Sequence, residues 1–329
     1  MIAPPLDTTA VTAFVEDATA APSLHNTQPW KFRFLRDRGI LQLYADPERT
    51  LPQADPDGRN LHLGCGAALF NLRVAAAAWG REPTVRLLPD SADPALLAEA
   101  DLTATTPTDG APALLHPAIH RRHTSRHPFL EEDIPAALED GLCAAARLEG
   151  ARLVFPDAWH VQSVLDLAHD AEGREAGDPG RRGETARWAR TERADGATAA
   201  EGIPVEAFGP GQRGASSPVR DFAAGRSVPG RGWAPFEKHP HIALLGTAED
   251  RPVDWLRAGQ ALERVLLEAT VDGLVASLTS QALEWPELRW AVRDPTSAMG
   301  HVQMVIRLGY GPEGHPTPRR PVAEVLDIL

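Results

Sequence analysis

A short basic run, RRHTSRHPF at residues 121–129, combines three guanidinium groups with two hydroxyl groups just before a predicted helix. Guanidinium groups bind phosphate through charge-assisted and often bidentate hydrogen bonds. The whole chain carries a formal net charge of −12, and such a field repels nucleic acids and anionic membrane surfaces. We therefore expect neither as a partner, and we expect any bound phosphate to be held by this local cluster.

The same stretch permits a second chemistry, because four histidines follow one another at spacings of four, three and four residues. They are His116, His120, His123 and His127. On a helix this spacing would gather them as ligands of a metal ion. Pro117 and Pro128 shorten any helix here, however, and the neighbouring arginines would repel a divalent cation. We therefore predict no metal site.

The connector between the first predicted helix and the first predicted strand reads APSLHNTQPWKF, residues 21–32. From its chemistry alone it is a turn held by short polar side chains. The string closely resembles the APSxxNxQPWxF signature of FMN-dependent nitroreductases. In the basic run, Arg122, Thr124 and Arg126 match the RRSxRxF element of the same family. That element holds the FMN phosphate and, through its last basic residue, approaches the N1 edge of the ring.

Two later segments carry the same resemblance. The tail PTPRRP, residues 316–321, is similar to the basic tail of Acg-type nitroreductases, which returns to the FMN phosphate. Residues 273–281 match the region near flavin N5, although Ser280 and Gln281 stand where the family usually has Glu-Gly.

The resemblance implies FMN as the cofactor, NAD(P)H as a candidate electron donor and a small molecule as the substrate. The flavin carries the redox chemistry itself, so no catalytic side chain is implied. The residues implied for cofactor binding are Pro22, Ser23, Leu24, Asn26, Arg121, Arg122, Thr124, Arg126, Thr279, Ser280, Gln281, Arg319 and Arg320.

Apolar spacing predicts the elements that must position these residues. Helices are predicted over 7–21, 60–79, 134–148 with Asp133 as N-cap, 157–195, and 254–272 followed by Gly273. Strands are predicted over 31–35, 40–44, 152–155, 242–245 and 302–308, the first two forming a hairpin and the last lying centrally. Residues 104–117 have the composition of a linker.

An internal repeat becomes visible when the sequence is shifted by 193 residues, which aligns two alanine-containing helices without a gap. The identical pairs are Leu63/Leu256, Gly66/Gly259, Ala68/Ala261, Leu69/Leu262, Ala76/Ala269 and Gly80/Gly273. Two amphipathic helices can match by chance, but helical periodicity does not require the paired glycines. We predict an α+β fold in which two nitroreductase-like halves, 1–112 and 113–329, form an intrachain pseudo-dimer of small sheets flanked by helices.

Each half carries what the other lacks. The first half has the PSLHN loop at 22–26 but no basic cluster before it. The second half has both basic segments, but it reads ARLEGA at 146–151 where the loop would fall. One complete FMN site per chain can therefore form, between the halves, and its symmetry-related counterpart cannot. We expect a monomer, as a pseudo-dimer, or a weak homodimer.

Residues 202–240 are rich in glycine and proline but contain four bulky aromatic residues, Phe208, Phe222, Trp233 and Phe236. A loop of this length is usually functional, and the aromatic residues predict a lid over the flavin.

Two functions of the protein remain as alternatives. One is an oxidoreductase that moves two electrons to or from a small organic substrate. The other is a flavin-sequestering or storage protein with little turnover.

The sequence also bears on location. The N-terminal MIAPPLDTT has neither a basic n-region nor an apolar h-region, and no apolar stretch reaches the length of a membrane span. Cys65 and Cys143 lack CxxC spacing, so both are expected to be small buried hydrophobic residues. We predict a cytoplasmic protein.

Overall fold

The computed structural model describes residues 6–105, 110–190, 200–213, 219–224, 226–297 and 299–329. The α-helices there are α1 (Thr8–Thr19), α2 (Arg59–Ala78), α3 (Ala136–Leu148), α4 (Ala158–Gly177), α5 (Pro179–Trp188), α6 (Pro252–Val271), α7 (Pro286–Ala291) and α8 (Val322–Val325). The strands there are β1 (Trp30–Leu35), β2 (Ile40–Ala45), β3 (Thr84–Leu87), β4 (Leu96–Asp101), β5 (Arg152–Val154), β6 (Ala189–Arg190), β7 (Ile203–Pro204), β8 (Gly211–Arg213), β9 (Trp233–Pro235), β10 (His241–Thr247), β11 (Val275–Thr279), β12 (His301–Gly309) and β13 (Leu326–Ile328).

The first half is built on a five-stranded sheet in the order β13-β1-β2-β4-β3. β1 and β2 form the predicted hairpin, which Gly39 closes in the left-handed region at φ +62°. Successive side chains of a strand point to opposite faces, and Trp30, Phe32 and Phe34 all point into the core shared with α1 and α2.

The last strand of the chain completes this first sheet. β13 runs parallel to β1, with Leu326 opposite Phe32, and Val325 packs into the core of the first half. The tail therefore crosses back from the second half. A boundary at residue 112 separates the two sheets but leaves the first sheet dependent on residues 326–328.

The second half is built on a four-stranded sheet in the order β11-β12-β10-β5. β12 lies centrally, as predicted, and pairs antiparallel with β10 and β11. The helix α6 ends just before Gly273, whose φ of +79° confirms the predicted end of that helix. The predicted N-cap of α3 is wrong, because the helix begins at Ala136 directly after Pro135 and Asp133 does not cap it.

The predicted helix over 157–195 is in fact two helices. Asp178 lies between α4 and α5 in an extended conformation, and its carboxylate accepts hydrogen bonds from the N–H groups of Gly180 and Arg181. Pro179 has no N–H group to continue the hydrogen bonding of α4, so the helix restarts there. Residues 191–195 of that prediction lie outside the described residues.

The two halves meet along α2 and α6, where Gly66 and Gly259 face each other. A Cβ atom on Gly66 would lie 2.3 Å from the carbonyl oxygen of Leu256, and a Cβ atom on Gly259 would lie 2.2 Å from that of Leu63. The two contacts are reciprocal under the 193-residue shift, as contacts across a two-fold axis must be. The packing of α2 against α6 therefore has the reciprocity that the predicted pseudo-dimer requires.

Within the described part of the chain, α2 is the one helix long and apolar enough to cross a membrane, and 78% of its apolar window is buried inside the fold. It packs against both α1 and α6. Its apolar surface therefore forms the core that the two halves share.

Candidate functional site

One cavity lies where the 22–26 loop of the first half meets the basic run, the end of β11 and the tail of the second half. Apolar side chains line it together with several charged and polar groups, a combination that is usual in pockets for small molecules and cofactors. Ten of the predicted cofactor-binding residues line it. They are Pro22, Ser23, Leu24, Asn26, Arg122, Thr124, Arg126, Ser280, Gln281 and Arg319.

The other three predicted residues lie outside this cavity. Arg121 is exposed and lines an adjoining depression. Thr279 is only 1% exposed within β11. Arg320 turns away from the cavity, and its guanidinium lies 3.3 Å from the carboxylate of buried Asp46. This ion pair therefore holds the tail against the first half.

The loop between α1 and β1 has a strained backbone. His25, Asn26 and Gln28 have φ values of +53°, +55° and +52°, a region that is costly for side chains other than glycine and that clusters at functional sites. The hydroxyl of Ser23 accepts a hydrogen bond from the N–H of Gln28 at 2.9 Å. Gly64 of α2 lets the helix approach this loop, because a Cβ atom there would lie 3.2 Å from the Cβ of Ser23.

Two amide side chains of the loop bind the neighbouring segments. Asn26 donates through Nδ2 to the carbonyl oxygens of Gly202 at 3.0 Å and Pro318 at 3.1 Å. Oε1 of Gln28 accepts the backbone N–H of Arg320 at 2.8 Å. The loop, the start of the Gly/Pro-rich segment (202–240) and the tail therefore form one continuous wall.

Arg122 is held rigidly at the cavity. It is 5% exposed, and its Nε lies 3.4 Å from Oε1 of Glu263, which is fully buried in α6. Burial raises the pKa of Glu263, and the charge of Arg122 opposes that rise. Nη2 of Arg122 also donates to the carbonyl oxygen of Ala20 at the end of α1. The guanidinium thus has an ion-pair partner and one hydrogen-bond acceptor, while its Nε is buried without a hydrogen-bond partner in the described structure.

Arg319 lies at the C-terminal end of α1, where a cation is favoured by the helix dipole. It donates to the carbonyl oxygens of Thr19 at 2.7 Å and Ala20 at 2.8 Å, and to Oδ1 of Asn26 at 3.1 Å. Burial and the neighbouring Arg122 lower the pKa of Arg319 to about 9, so it remains a cation at neutral pH.

Arg126 and Arg220 bring two more cations to the cavity. Arg126 donates to the carbonyl oxygen of Ala207 at 2.9 Å and stacks over the ring of Phe222, 4.9 Å from its centroid. Burial and Arg220 lower the pKa of Arg126 to about 10. Arg220 is anchored on its other side by a hydrogen-bonded ion pair with Glu284. Arg126 has no such anchor, because no carboxylate of the described residues lies within ion-pair distance of it.

The aromatic residues of the Gly/Pro-rich segment are used in different ways. Phe222 lines the cavity, and Phe208 packs behind it with ring centroids 6.0 Å apart. Phe236 lies near the buried guanidinium of Arg307. Trp233 is 64% exposed and contributes nothing to the cavity. Part of the segment therefore lines the cavity, while its later aromatic residues lie elsewhere; that the segment acts as a lid stays a prediction.

Ser280 and Gln281 follow β11 at the cavity. The hydroxyl of Ser280 is hydrogen-bonded, whereas the amide oxygen of Gln281 has no hydrogen-bond partner in the described structure. Ser280 donates through Oγ to Glu284 at 2.8 Å, which holds it against the ion pair of Arg220. Gln281 donates through Nε2 to Glu172 at 3.3 Å, and its Oε1 is buried without a hydrogen-bond partner in the described structure. Such a buried acceptor calls for a donor on a ligand or an ordered water.

Sequence reasoning missed five polar residues of the cavity, which are His25, Asn60, His123, Arg220 and Thr317. Burial, followed by the charges of Arg122 and Arg319, lowers the pKa of His123 to about 4, so this ring is neutral at the cavity. His25 lies inside the PSLHN motif and Arg220 inside the Gly/Pro-rich segment. Arg220 could have been considered as a candidate, because it is an arginine within a segment whose aromatic residues were already predicted to cover the flavin.

The site provides cations and hydrogen-bonding groups rather than a side-chain nucleophile. Burial raises the pKa of the Cys65 thiol far above its usual range, so it is inert. Within the described residues, no group of three or more histidine, cysteine or carboxylate side chains is placed to hold a metal ion. His116 and His120 of the alternative metal prediction both contact Asp17.

Comparison with known proteins identifies relatives along almost the whole chain. A Mycobacterium tuberculosis H37Rv protein provisionally named NAD(P)H nitroreductase Rv3131 is 35% identical over 324 residues, covering 94% of this chain and 89% of the relative. The M. tuberculosis protein provisionally named NAD(P)H nitroreductase acg is 29% identical over 337 residues, covering 98% and 96%. No protein-family model matches the chain.

Solved structures give more distant similarity. A nitroreductase with bound FMN from Bacteroides fragilis is 13% identical with a TM-score of 0.36, covering 63% of this chain and 92% of the other. A BluB-like flavoprotein from Clostridium difficile is 14% identical with a TM-score of 0.41, covering 64% and 96%. These scores are low, so the family assignment rests on the sequence relatives.

Proposed function

The chain belongs to the nitroreductase family, and from that premise we propose an FMN-dependent oxidoreductase that holds one FMN between its two halves. It transfers two electrons between a donor, NAD(P)H, and a small organic acceptor. One observation carries this proposal: the strained loop of the first half and the arginines of the second half line a single cavity.

The donor set of the cavity fits FMN. Arg122 and Arg319 supply guanidinium groups, and Thr124 a hydroxyl group, for a phosphate. Leu262, Leu278 and Met304 give part of the lining an apolar character suited to a ring system. The unpartnered Oε1 of Gln281 is an acceptor for a ring N–H group.

The bound flavin supplies hydride and electron transfer, while the protein supplies binding and electrostatics. Arg126 corresponds to the family position at the N1 edge of the ring, and its charge is not neutralised by a carboxylate contact within the described structure. A cation that is fixed in advance stabilises negative charge that develops beside it, at little reorganisation cost. Arg126 would therefore favour the reduced ring.

The test is anaerobic mixing of the FMN-loaded protein with NADH or NADPH while flavin absorbance is recorded. We expect the absorbance to bleach, and to return when a nitroaromatic compound or a quinone is added. A protein that binds no FMN, or whose FMN accepts electrons from dithionite but from neither nicotinamide donor, would contradict the proposal in its cofactor or in its donor respectively.

A second function, flavin sequestration, is favoured by how the Gly/Pro-rich segment covers the cavity. Ile203, Arg220 and Phe222 of this segment all line the cavity, and Phe222 is only 4% exposed. A cover of this kind excludes water and large acceptors, and its opening would limit turnover.

Sequestration is tested by opening the cover. Phe222→Ala, or replacement of residues 221–232 by a short Gly-Ser linker, should leave FMN bound, because both changes retain the four arginines of the cavity. Both changes should accelerate reduction by external donors and quenching of flavin fluorescence by iodide. Trp233→Ala is the matched control, because this exposed aromatic of the same segment does not line the cavity. Equal rates in all of these proteins would count against sequestration.

A further inference from the structure

His25 lies in the cavity wall at the centre of the strained loop. Its side chain is 3% exposed, and its φ of +53° is unusual for a residue with a side chain. It stands at a position where the family signature allows any residue. Neither the motifs nor the proposed function assigns it a role, yet the fold maintains a costly conformation to place an imidazole there.

Arg220 determines which nitrogen of this imidazole carries the proton. Nη1 of Arg220 lies 2.9 Å from Nε2 of His25. A guanidinium group only donates hydrogen bonds, so Nε2 must accept, and the neutral ring must carry its proton on Nδ1. Arg220 is held in turn by Glu284, with Glu175 3.6 Å away. The tautomer is therefore fixed by a buried ion-pair network.

The surroundings also keep the ring neutral and oriented. Burial, followed by the charges of Arg220 and Arg126, holds the pKa of His25 well below its usual range. Phe222 packs edge-on against the imidazole with centroids 5.5 Å apart. The imidazole can therefore neither gain a proton easily nor rotate without disturbing Phe222.

This arrangement leaves one donor unused. Nδ1 of His25 is buried and has no hydrogen-bond partner in the described structure. Buried polar groups are almost always partnered, and since His25 lines the cavity, an acceptor on a molecule bound there can supply the missing partner. The strained backbone, the imposed tautomer and the unpartnered nitrogen thus all concern the side chain of His25.

We propose that His25 is a ligand-binding residue whose Nδ1–H donates a hydrogen bond to an acceptor atom of the molecule in the cavity. Arg220 is the positioning residue that fixes the required tautomer. The ligand part of the proposal rests on the proposed function, because the acceptor belongs either to the FMN ring or to a small organic substrate carrying a carbonyl, nitro or quinone oxygen. The tautomer part does not depend on any ligand.

The tautomer is tested first by ¹⁵N NMR of the imidazole nitrogens in the full-length protein, without and with FMN. We expect the neutral Nδ1–H form at neutral pH. Arg220→Met, checked for an intact fold by circular dichroism, should release the preference, and Arg220→Lys, which still only donates, should retain it. A wild-type spectrum showing the Nε2–H form or the imidazolium would overturn the proposal.

The ligand contact is tested by exchanging the donor. His25→Asn keeps an amide N–H near the Nδ1 position and tolerates a positive φ, whereas His25→Gln places its amide near the Nε2 position. We expect FMN affinity to fall about tenfold in His25→Gln and to change less than about threefold in His25→Asn. If FMN affinity is unchanged but KM for the acceptor rises about tenfold in His25→Gln alone, the contact is to the substrate.

The possible failures are distinguishable. No difference between the Asn and Gln variants in either FMN affinity or KM overturns the contact. A wild-type protein that binds no FMN overturns the proposed function, while the NMR experiment still decides the tautomer. Thermal unfolding of both variants separates a loss of binding from a loss of folding.

Discussion

At the scale of residues, the four arginines of the cavity are held in two ways. Arg122 and Arg220 each contact a buried glutamate, so their charges are partly balanced before a ligand binds. In the described structure, the hydrogen-bond partners of Arg319 and Arg126 are neutral. A negatively charged ligand therefore gains most from the second pair, and its affinity should depend on them most strongly.

Replacing Arg126 by Gln should weaken FMN binding about ten- to a hundredfold, because one charge-assisted contact contributes roughly 1.5–3 kcal/mol. Fluorescence titration of the apoprotein with FMN measures this change. Arg36→Gln, at the exposed turn between β1 and β2, is the control and should bind FMN like the wild type. Equal FMN affinities in the two variants would show that Arg126 does not contribute to FMN binding.

A second residue-scale feature is the contact of Asp17 with two histidines. Nε2 of His116 and Nε2 of His120 lie 2.8 Å and 2.6 Å from its carboxylate oxygens. Burial alone would raise the pKa of Asp17, but the hydrogen bonds to the histidines lower it to about 2. The hydrogen bond to Asp17 raises the pKa of His120. The contact therefore joins the end of α1 to residues 113–120 most strongly when Asp17 is ionised and His120 is protonated.

The pH dependence of stability follows from these two pKa shifts. A raised folded-state pKa gives His120 a stabilising effect that is complete below its unfolded pKa of about 6.5 and is lost as pH rises through the folded value. The lowered pKa of Asp17 gives an effect present above about pH 4 and lost as pH falls toward 2. The unfolding temperature of the wild type should therefore exceed that of His120→Gln most between about pH 4.5 and 6.

Thermal unfolding from about pH 4 to 9 measures this difference, and it should shrink above about pH 7. His239→Gln removes an exposed histidine away from Asp17 and is the matched control. A difference between wild type and His120→Gln that grows with rising pH would show that the assigned ion pair has the wrong sign.

At the scale of elements, the crossing of α2 and α6 makes a steric prediction. Gly66→Ala places a Cβ atom 2.3 Å from a backbone carbonyl of the opposite helix, so one helix must move. We expect the free energy of unfolding to fall by about 1–3 kcal/mol, the usual cost of overpacking.

Gly141→Ala in α3 is the control, because its Cβ atom would meet nothing within 4 Å. It should stabilise the protein by about 0.5–1 kcal/mol. Urea unfolding compares the two, and a Gly66→Ala variant as stable as Gly141→Ala would contradict the close crossing.

Elements with a strong local pattern could be predicted from the sequence. The β1–β2 hairpin, α2, α6 and the central strand β12 all carry an apolar period, a closing glycine or both. β13 could not be found, because it is three residues long and its partner β1 lies almost the whole chain away. The break at Asp178 was missed because the charged faces on either side continue the helical pattern.

The same limit applies within the site. Ten residues of the family motifs line the cavity, but the motifs predicted FMN binding for both Arg319 and Arg320. In extended chain successive side chains point in opposite directions, so only one of the two can face the cavity, and the path of the tail decides which. The contact of Arg220 with His25 joins residues 195 positions apart, and no local pattern reports such a pairing.

At the scale of the whole molecule, the 193-residue repeat aligns α2 with α6, but the two halves differ at the place where a second cavity would form. The connection from α3 to β5 has only residues 149–151, whereas the loop from α1 to β1 occupies residues 20–29. The 193-residue shift places Arg257 where α2 has Gly64, the glycine that gives the 22–26 loop its room. A Cβ atom on Gly150 would lie 3.8 Å from Cδ of Arg257, so this side chain occupies the equivalent space.

This asymmetry predicts one FMN per chain. The second location has a shortened loop, and Arg257 there lies 3.3 Å from the carboxylate of Asp254, which also pairs with Arg251. Native mass spectrometry of the reconstituted protein should show one FMN mass added to each chain, and isothermal titration should give a stoichiometry near one. Arg257→Gly together with Asp254→Asn removes the side chain and its partner and serves as a probe. It should still bind one FMN, because it does not restore the missing loop. Two flavins bound by the wild-type chain would show that the halves are functionally equivalent and that the complementary motifs do not limit the number of sites.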